Sequence, residues 1–560
     1  MLVPGWMAGL IVSVWRNTVG QATRPARGCQ DAGRYSKLLM KRHELNRRQF
    51  IRTSAALAGT ALIGRPLLAA ASSAEGPVAS TTAGRVRGFL DREINVFKGI
   101  PYGGDTAPRR FKPALPPKPW TDVRTAFSFG PQAPQGGGGS EDCLYLNVWT
   151  PGLRDGGKRP VMVYMHGGGF HALTANNDTF DGVRLCRRGD VVVVSLNHRL
   201  NVFGYLYLAQ IGGEEFKDSG NAGQLDLVLA LQWVRDNIAE FGGDPGRVML
   251  FGESGGGAKN ATLMAMPAAR GLFHRAATSS GEAVTASRPE TATQRARAVL
   301  AALNLTPERI GEIKTVPLAQ LSAASAAADY YGPVLDGGAL PRHPFDPDAP
   351  PLSADIPMLV GTNHDESRGL IGRYFDLTWE TLPQTLKQYS EKMGNLDLNK
   401  VIALYRRVHP DYSASDVFFG ATTDSRDWRP AVVEIERRAA QPEGSAPTYS
   451  YQLDWGSPVN PRLKAYHGLD TELFFDNIGA PGTKTGTGPE AQAMADLMSE
   501  SYIAFARTGN PQTPKLPEWP PYDLKRRATM SFNLPPRVID DPRSEERKLF
   551  SPVPYENPGT

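Results

Sequence analysis

The sequence predicts an α/β fold: a central, mostly parallel sheet flanked by helices, with loop and helical insertions. Three observations predict it. Four short runs are apolar on both faces, a helical pattern bridges the second and third of them, and glycine-rich turns follow the first and third.

The first run is Pro160–Met165 (PVMVYM), which ends in glycines. Val191–Leu196 (VVVVSL) is the second and is rich in β-branched residues. Arg247–Phe251 and Pro357–Val360 follow. A strand with one wet face alternates apolar and polar residues. These do not, so each needs cover on both sides, as parallel strands between helices do. Between the second and third runs, within Asn221–Phe241, Leu225, Val228, Leu229, Leu231, Gln232, Val234 and Ile238 fall at helical spacing. That is a strand–helix–strand crossover of a doubly wound sheet. The Ala-rich stretch Leu321–Ala328 and the glycine-rich Gln135–Ser140 read as surface loop or helix. No internal repeat and no linker divides the chain, so residues 75–560 read as one domain.

Composition narrows the function classes. With 41% apolar and 21% charged residues, the chain can bury a large core and does not resemble a disordered one. The net charge of +5 is uneven: residues 1–74 carry 11 Lys/Arg and 2 Asp/Glu, a net of +9, which leaves −4 on the remainder. No basic stripe is left to bind nucleic acid. The three cysteines, Cys29, Cys143 and Cys186, lack metal-ligand spacing. Cys143 and Cys186 read as buried small hydrophobes, and neither a metal nor a cofactor is expected.

The basic N-terminus has its own logic. Asn46-Arg47-Arg48-Gln49-Phe50-Ile51-Arg52 is a paired-arginine motif, followed by the modest apolar stretch Thr53–Gly64 and by small residues at 69–74. Residues 40–74 therefore resemble a bacterial twin-arginine export signal, implying a periplasmic or secreted protein. Met40 stands where such signals begin, which makes residues 1–39 read as a mis-assigned start. The apolar stretch is shorter than the ~20 residues a membrane span needs, and Arg65 interrupts it.

The chemistry is carried by Phe251-Gly252-Glu253-Ser254-Gly255-Gly256-Gly257, directly after the third run. Gly-x-Ser-x-Gly between a strand and a helix sets a serine on a sharp turn, with its hydroxyl above the sheet at a helix N-terminus. His166-Gly167-Gly168-Gly169-Phe170 follows the first run. Consecutive glycines let backbone N–H groups converge on one point, so Gly168, Gly169 and Gly255 are the expected donors of an oxyanion hole around Ser254.

These two elements, with Phe97-Lys98-Gly99-Ile100-Pro101-Tyr102, Glu141-Asp142-Cys143-Leu144-Tyr145-Leu146-Asn147, Asn197-His198-Arg199-Leu200 and Asn237–Pro245, resemble the type-B carboxylesterase family over about Val78 to Phe532. That family includes cholinesterases and bacterial para-nitrobenzyl esterases. The resemblance implies an α/β-hydrolase fold and a serine hydrolase that cleaves small-molecule carboxylic esters through an acyl-enzyme. It implies Glu366 as the acid and His467 as the base, in the chain order Ser–Glu–His. His364 and Asp365 stand as rival base and acid.

Arg110 with Glu141, and Arg199 with Asp226, resemble the family's core ion pairs. Ser280 is expected to support Glu366, and Glu253 either tunes the field at the site or is merely structural. Two departures stand out: Ala133 where a cysteine often closes a choline-binding loop, and Ser367 where a glycine usually follows the acid. No choline cage is expected. Phe170, Phe203, Tyr205, Phe418 and Phe419 are pocket candidates, with core packing as the alternative fate. A monomer is the default. Amide, carbamate and lactone cleavage would use the same machinery, while a non-catalytic binding protein on this fold would dispense with it.

Overall fold

Alternation along the central strands sets how the sheet is covered. The structure, a computed structural model, describes residues 76–557 and 559–560; the readings of residues 1–39 and 40–74 lie outside the described residues. Strands β1 (Val78–Ser80), β2 (Arg85–Arg87) and β5 (Val123–Thr125) form a small separate sheet. The main sheet contains β3 (Phe89–Asp91), β4 (Ile94–Pro101), β6 (Tyr145–Thr150), β7 (Arg159–Met165), β8 (Val192–Leu196) and β9 (Gly243–Gly252). It continues through β10 (Arg275–Ser279), β11 (Met358–Asn363), β12 (Thr448–Leu453), β13 (Ala528–Phe532) and β14 (Arg537–Asp540).

Its order is β14-β13-β12-β11-β10-β9-β7-β8-β6-β4-β3. Neighbours from β13 to β8 pair in parallel, whereas β14, β6, β4 and β3 pair antiparallel at the two edges. The four sequence-predicted runs are β7, β8, β9 and β11. From β7 the chain steps outward to β8, then crosses back over β7 to β9, so the direction of winding reverses there. Such a reversal opens a crevice at the carboxyl ends of the strands.

In β7, Val161, Val163 and Met165 enter one buried cluster while Met162 and Tyr164 enter the other. The helix Ala222–Asn237 covers the first face with Leu227, Val228, Leu231 and Val234, residues at helical spacing. The helix Val183–Gly189 and the long helix Pro489–Thr508 cover the second with Val183, Leu185, Met494, Met498 and Tyr502. A third cluster belongs to a helical insertion between β11 and β12, built around Leu382, Leu386, Val401, Tyr405, Phe418 and Phe419. The aromatic pocket candidates Phe170, Phe203, Tyr205, Phe418 and Phe419 are all buried in these clusters. Cys143 and Cys186 are buried free thiols.

Both expected ion pairs are formed. Arg110 bonds Glu141 through Nε at 2.7 Å. Arg199 grips Asp226 with Nε at 2.7 Å and Nη2 at 2.6 Å, and its own backbone N–H adds a third bond at 3.1 Å. Both residues are fully buried, and Arg199 also donates to the carbonyls of Lys112 and Ala222. The pair ties the loop after β8 to the crossover helix. Removing one partner strands the other charge in the core. Asp226→Ala is therefore expected to lower unfolding free energy by about 3–5 kcal/mol, read from the urea midpoint at constant slope. A loss under about 1 kcal/mol would show that the pair does not hold this junction.

Candidate active site

The sequence-predicted site residues sit on the segments that leave the carboxyl ends of parallel strands β7, β9, β10, β11 and β12. Ser254 follows β9 and caps the helix Gly255–Leu263, with φ 56 and ψ −127. That left-handed backbone is strained for a residue with a side chain. Its N–H is tied to Ser279 O at the end of β10, at 2.8 Å. The turn closes because Gly256 has no side chain: a Cβ there would stand 1.9 Å from Met165 O.

The Gly167–Gly169 loop leaves β7 beside this turn, since Met165 and Gly252 are partners in register. Gly168 (φ 81) and Gly169 (φ 59) adopt the left-handed conformation that glycine takes without penalty. A Cβ on Gly255 would fall 2.4 Å from the Gly169 nitrogen, so the two backbones meet directly. Gly255 is the first residue of its helix, and its N–H has no acceptor one turn back. The Gly169 backbone thus lies against the N-terminus of the helix that begins at Gly255, where the peptide dipoles favour negative charge.

Glu366 and His467 come from the loops after β11 and β12, stitched together by backbone hydrogen bonds. His364 N–H donates to Leu453 O at 2.9 Å and Asp365 N–H to Ala465 O at 2.8 Å. His467 Nδ1 lies 2.7 Å from Glu366 Oε2. The second Glu366 oxygen accepts the Asn363 N–H at 2.6 Å, and the carboxylate is fully buried. Asn363 also donates through its side chain to Tyr466 O at 2.8 Å and to Asp470 at 3.3 Å. Asp470 in turn accepts from Ser279 and from Tyr451, the latter at 2.9 Å. Sequence reasoning missed Asn363 and Asp470. The position of Asn363, at the strand end three residues before Glu366, was the available signal for the first.

The rival groups face elsewhere. His364 Nδ1 pairs with Asp365 at 3.1 Å, and Asp365 with Arg368 at 3.0 Å. The Ser280 hydroxyl is buried and makes no hydrogen bond to Glu366 among the described residues. Its backbone ties β10 to β11, the Ser280 N–H donating to Gly361 O at 2.8 Å, at a positive φ of 48. Ser367 is buried, and its N–H donates to Thr423 Oγ1 at 3.1 Å.

Glu253 is more involved than its neighbour position suggested. Its Oε1 lies 3.2 Å from His467 Nε2, the nitrogen that would face the serine. Ser254 Oγ makes no hydrogen bond to His467 among the described residues, so the structure brings Glu366 and His467 together and leaves the serine hydroxyl apart. Burial pushes the Glu253 carboxyl up, reinforced by Asp470 and Glu366 and opposed by His467. Burial works against protonation of His467, but the Glu253 charge and the Glu366 hydrogen bond outweigh it and hold the imidazole above its ordinary value. No group of His, Cys, Asp and Glu among the described residues could hold a metal ion, and no helix there is long and apolar enough to cross a membrane.

The comparisons agree with this frame. The profile of the Carboxylesterase family matches residues 75–550. A para-nitrobenzyl esterase of Bacillus subtilis (strain 168) is 34% identical, over 84% of this chain and 98% of its own. Phenmedipham hydrolase of Pseudarthrobacter oxydans is 32% identical, over 80% and 93%. The crystal structure of carboxylesterase EST55 of Geobacillus stearothermophilus at pH 6.2 superposes with a TM-score of 0.75 at 36% identity, covering 84% of this chain and 99% of that one. With an α/β-hydrolase sheet and a match over most of its length, the chain belongs to the carboxylesterase family and is a carboxylic ester hydrolase.

Proposed function

We propose that the chain hydrolyses small-molecule carboxylic esters through an acyl-enzyme on Ser254, with His467 as base and Glu366 as its acid partner. The observation that carries this reading is the 2.7 Å contact between His467 Nδ1 and the buried Glu366, beside a serine held at φ 56 on a helix N-terminus. Ser254 Oγ attacks the ester carbonyl carbon and its proton passes to His467 Nε2. The carbonyl oxygen becomes an oxyanion, which the Gly168, Gly169 and Gly255 amides receive. Collapse breaks the bond to the alcohol, which leaves with the proton from Nε2. Water then repeats the sequence and releases the acid.

Glu366 fixes the imidazole tautomer and stabilises the cation formed during each transfer. For Nε2 to serve Ser254 it must turn from Glu253 Oε1. Such contacts commonly tighten only once substrate is bound. Export by the twin-arginine route, and so action in the periplasm or outside the cell, is part of this proposal, supported by the paired arginines Arg47 and Arg48.

Two measurements test it. Ser254→Ala is expected to lower kcat on short para-nitrophenyl esters by at least about 10⁴-fold and to abolish fluorophosphonate labelling. An active, labelled variant would place the nucleophile elsewhere. The second concerns pH. His467 must be neutral to accept the serine proton, so activity falls as pH drops through its pKa, which Glu253 raises. Glu253→Gln removes that charge and should move the acid limb of the kcat/KM profile down by on the order of one pH unit. An unmoved limb would mean Glu253 carries no charge while the enzyme works.

A further inference from the structure

A second buried ionisable group lies beneath the glycine loop and has no part in the acyl-transfer steps above. Lys259 is on the helix Gly255–Leu263, five residues beyond Ser254, and is wholly buried. Its Nζ donates to the His166 carbonyl at 2.8 Å and lies 5.9 Å from the centre of the Phe170 ring. A buried ammonium whose partner is a carbonyl rather than a carboxylate is costly. Burial accordingly pushes Lys259 down to about 7, and the Glu253 charge opposes the shift. An apolar side chain would fill this space at no such cost, so the contact must do something else.

Its position says what. The His166 carbonyl and the Gly167 N–H belong to one rigid peptide unit, the first of the loop that carries Gly168 and Gly169. Positive φ at two consecutive glycines leaves that loop with intrinsic freedom, because glycine restricts its own backbone less than any other residue. The surroundings hold it at both ends. Phe170 O accepts the Asn201 N–H at 2.8 Å at the far end. His166 stacks on His198 at 5.1 Å and bonds the Gly167 carbonyl through Nδ1 at 2.9 Å at the near end. Lys259 adds a side-chain hydrogen bond from the helix that carries Gly255 to this near end, beside the direct backbone approach of Gly256 to Met165.

We propose that Lys259 is a positioning residue for the oxyanion-binding amides: its Nζ, donating an N–H, clamps the His166 carbonyl to the Ser254 helix and keeps the Gly168 and Gly169 N–H groups aimed where Gly255 points. One helix then supplies one amide directly and sets the other two through its buried lysine. The inference rests on the acyl-transfer reading of Ser254. It places the effect of Lys259 on the charged transition state, since a neutral bound ester asks little of these donors.

Lys259→Met keeps an unbranched side chain and removes both donor and charge. Purified parent and variant are compared for kcat and KM on para-nitrophenyl acetate, with active sites counted by fluorophosphonate titration. Affinity for a trifluoromethyl ketone, which forms an oxyanion adduct on an active serine, is measured alongside. The expected result is a kcat lower by roughly ten- to a hundredfold, less than the 10²–10³ that deleting a direct donor costs. KM should stay within about threefold, and ketone affinity should fall in step with kcat. If Lys259→Met does not accumulate folded, Lys259→Gln, too short to reach the carbonyl, is read the same way. A folded variant with parental kcat overturns the proposal. So does a kcat loss with ketone affinity intact, or one shared equally with KM. A parent that neither turns over esters nor labels would overturn the Ser254 reading itself, and the role of Lys259 would fall with it.

Discussion

Two backbones meet with no side chain between them where β7 and β9 end, and much of the site's geometry follows from that approach. Gly255 lies against Gly169, and Gly256 against the Met165 carbonyl, at separations no Cβ would allow. Parallel pairing of β7 with β9 brings the ends of the two strands level, and the winding reverses between β8 and β9, the kind of switch point at which α/β sheets form a crevice. The turn at Ser254 is then pinned from the other side by Ser279 at the end of β10. Without either neighbour the strained serine would relax toward an ordinary loop.

The charged groups obey a different logic. Glu366, Asp470 and Glu253 are three carboxyl groups buried in one region, where mutual repulsion and desolvation would raise the cost of each. The chain offsets this with directed hydrogen bonds: Asn363 N–H on Glu366, Tyr451 and Ser279 hydroxyls on Asp470, and the His467 ring between Glu366 and Glu253. Asn363 touches both Glu366 and Asp470, so it couples the loop after β11 to the helix that follows His467. The imidazole is therefore placed by a network that spans four strand ends, and not by one partner.

How much of this could be read beforehand depended on how local the cause was. The central strands β7, β8, β9 and β11 were legible because burial on both faces leaves a continuous apolar run. The Ser254 turn and the Gly168–Gly169 loop were legible because close backbone approach demands glycine at fixed offsets. Glu366 and His467 were reached only through family resemblance: 101 residues separate them, and no local pattern brings them together. The same distance effect hid Asp470 and the reach of Glu253 to His467. The edge strands β3 and β14 and the helical insertion between β11 and β12 were not resolved as elements, since short segments with mixed patterns give no clear period.

The twisted backbone at Ser254 has an evolutionary side. A residue held at φ 56 and ψ −127 withholds about 1–3 kcal/mol from the folded state. Glycine at that position would recover most of it and forfeit the hydroxyl. Stability and reactivity therefore pull this single codon in opposite directions, and any lineage released from selection for turnover has a downhill route to a sturdier, inert scaffold.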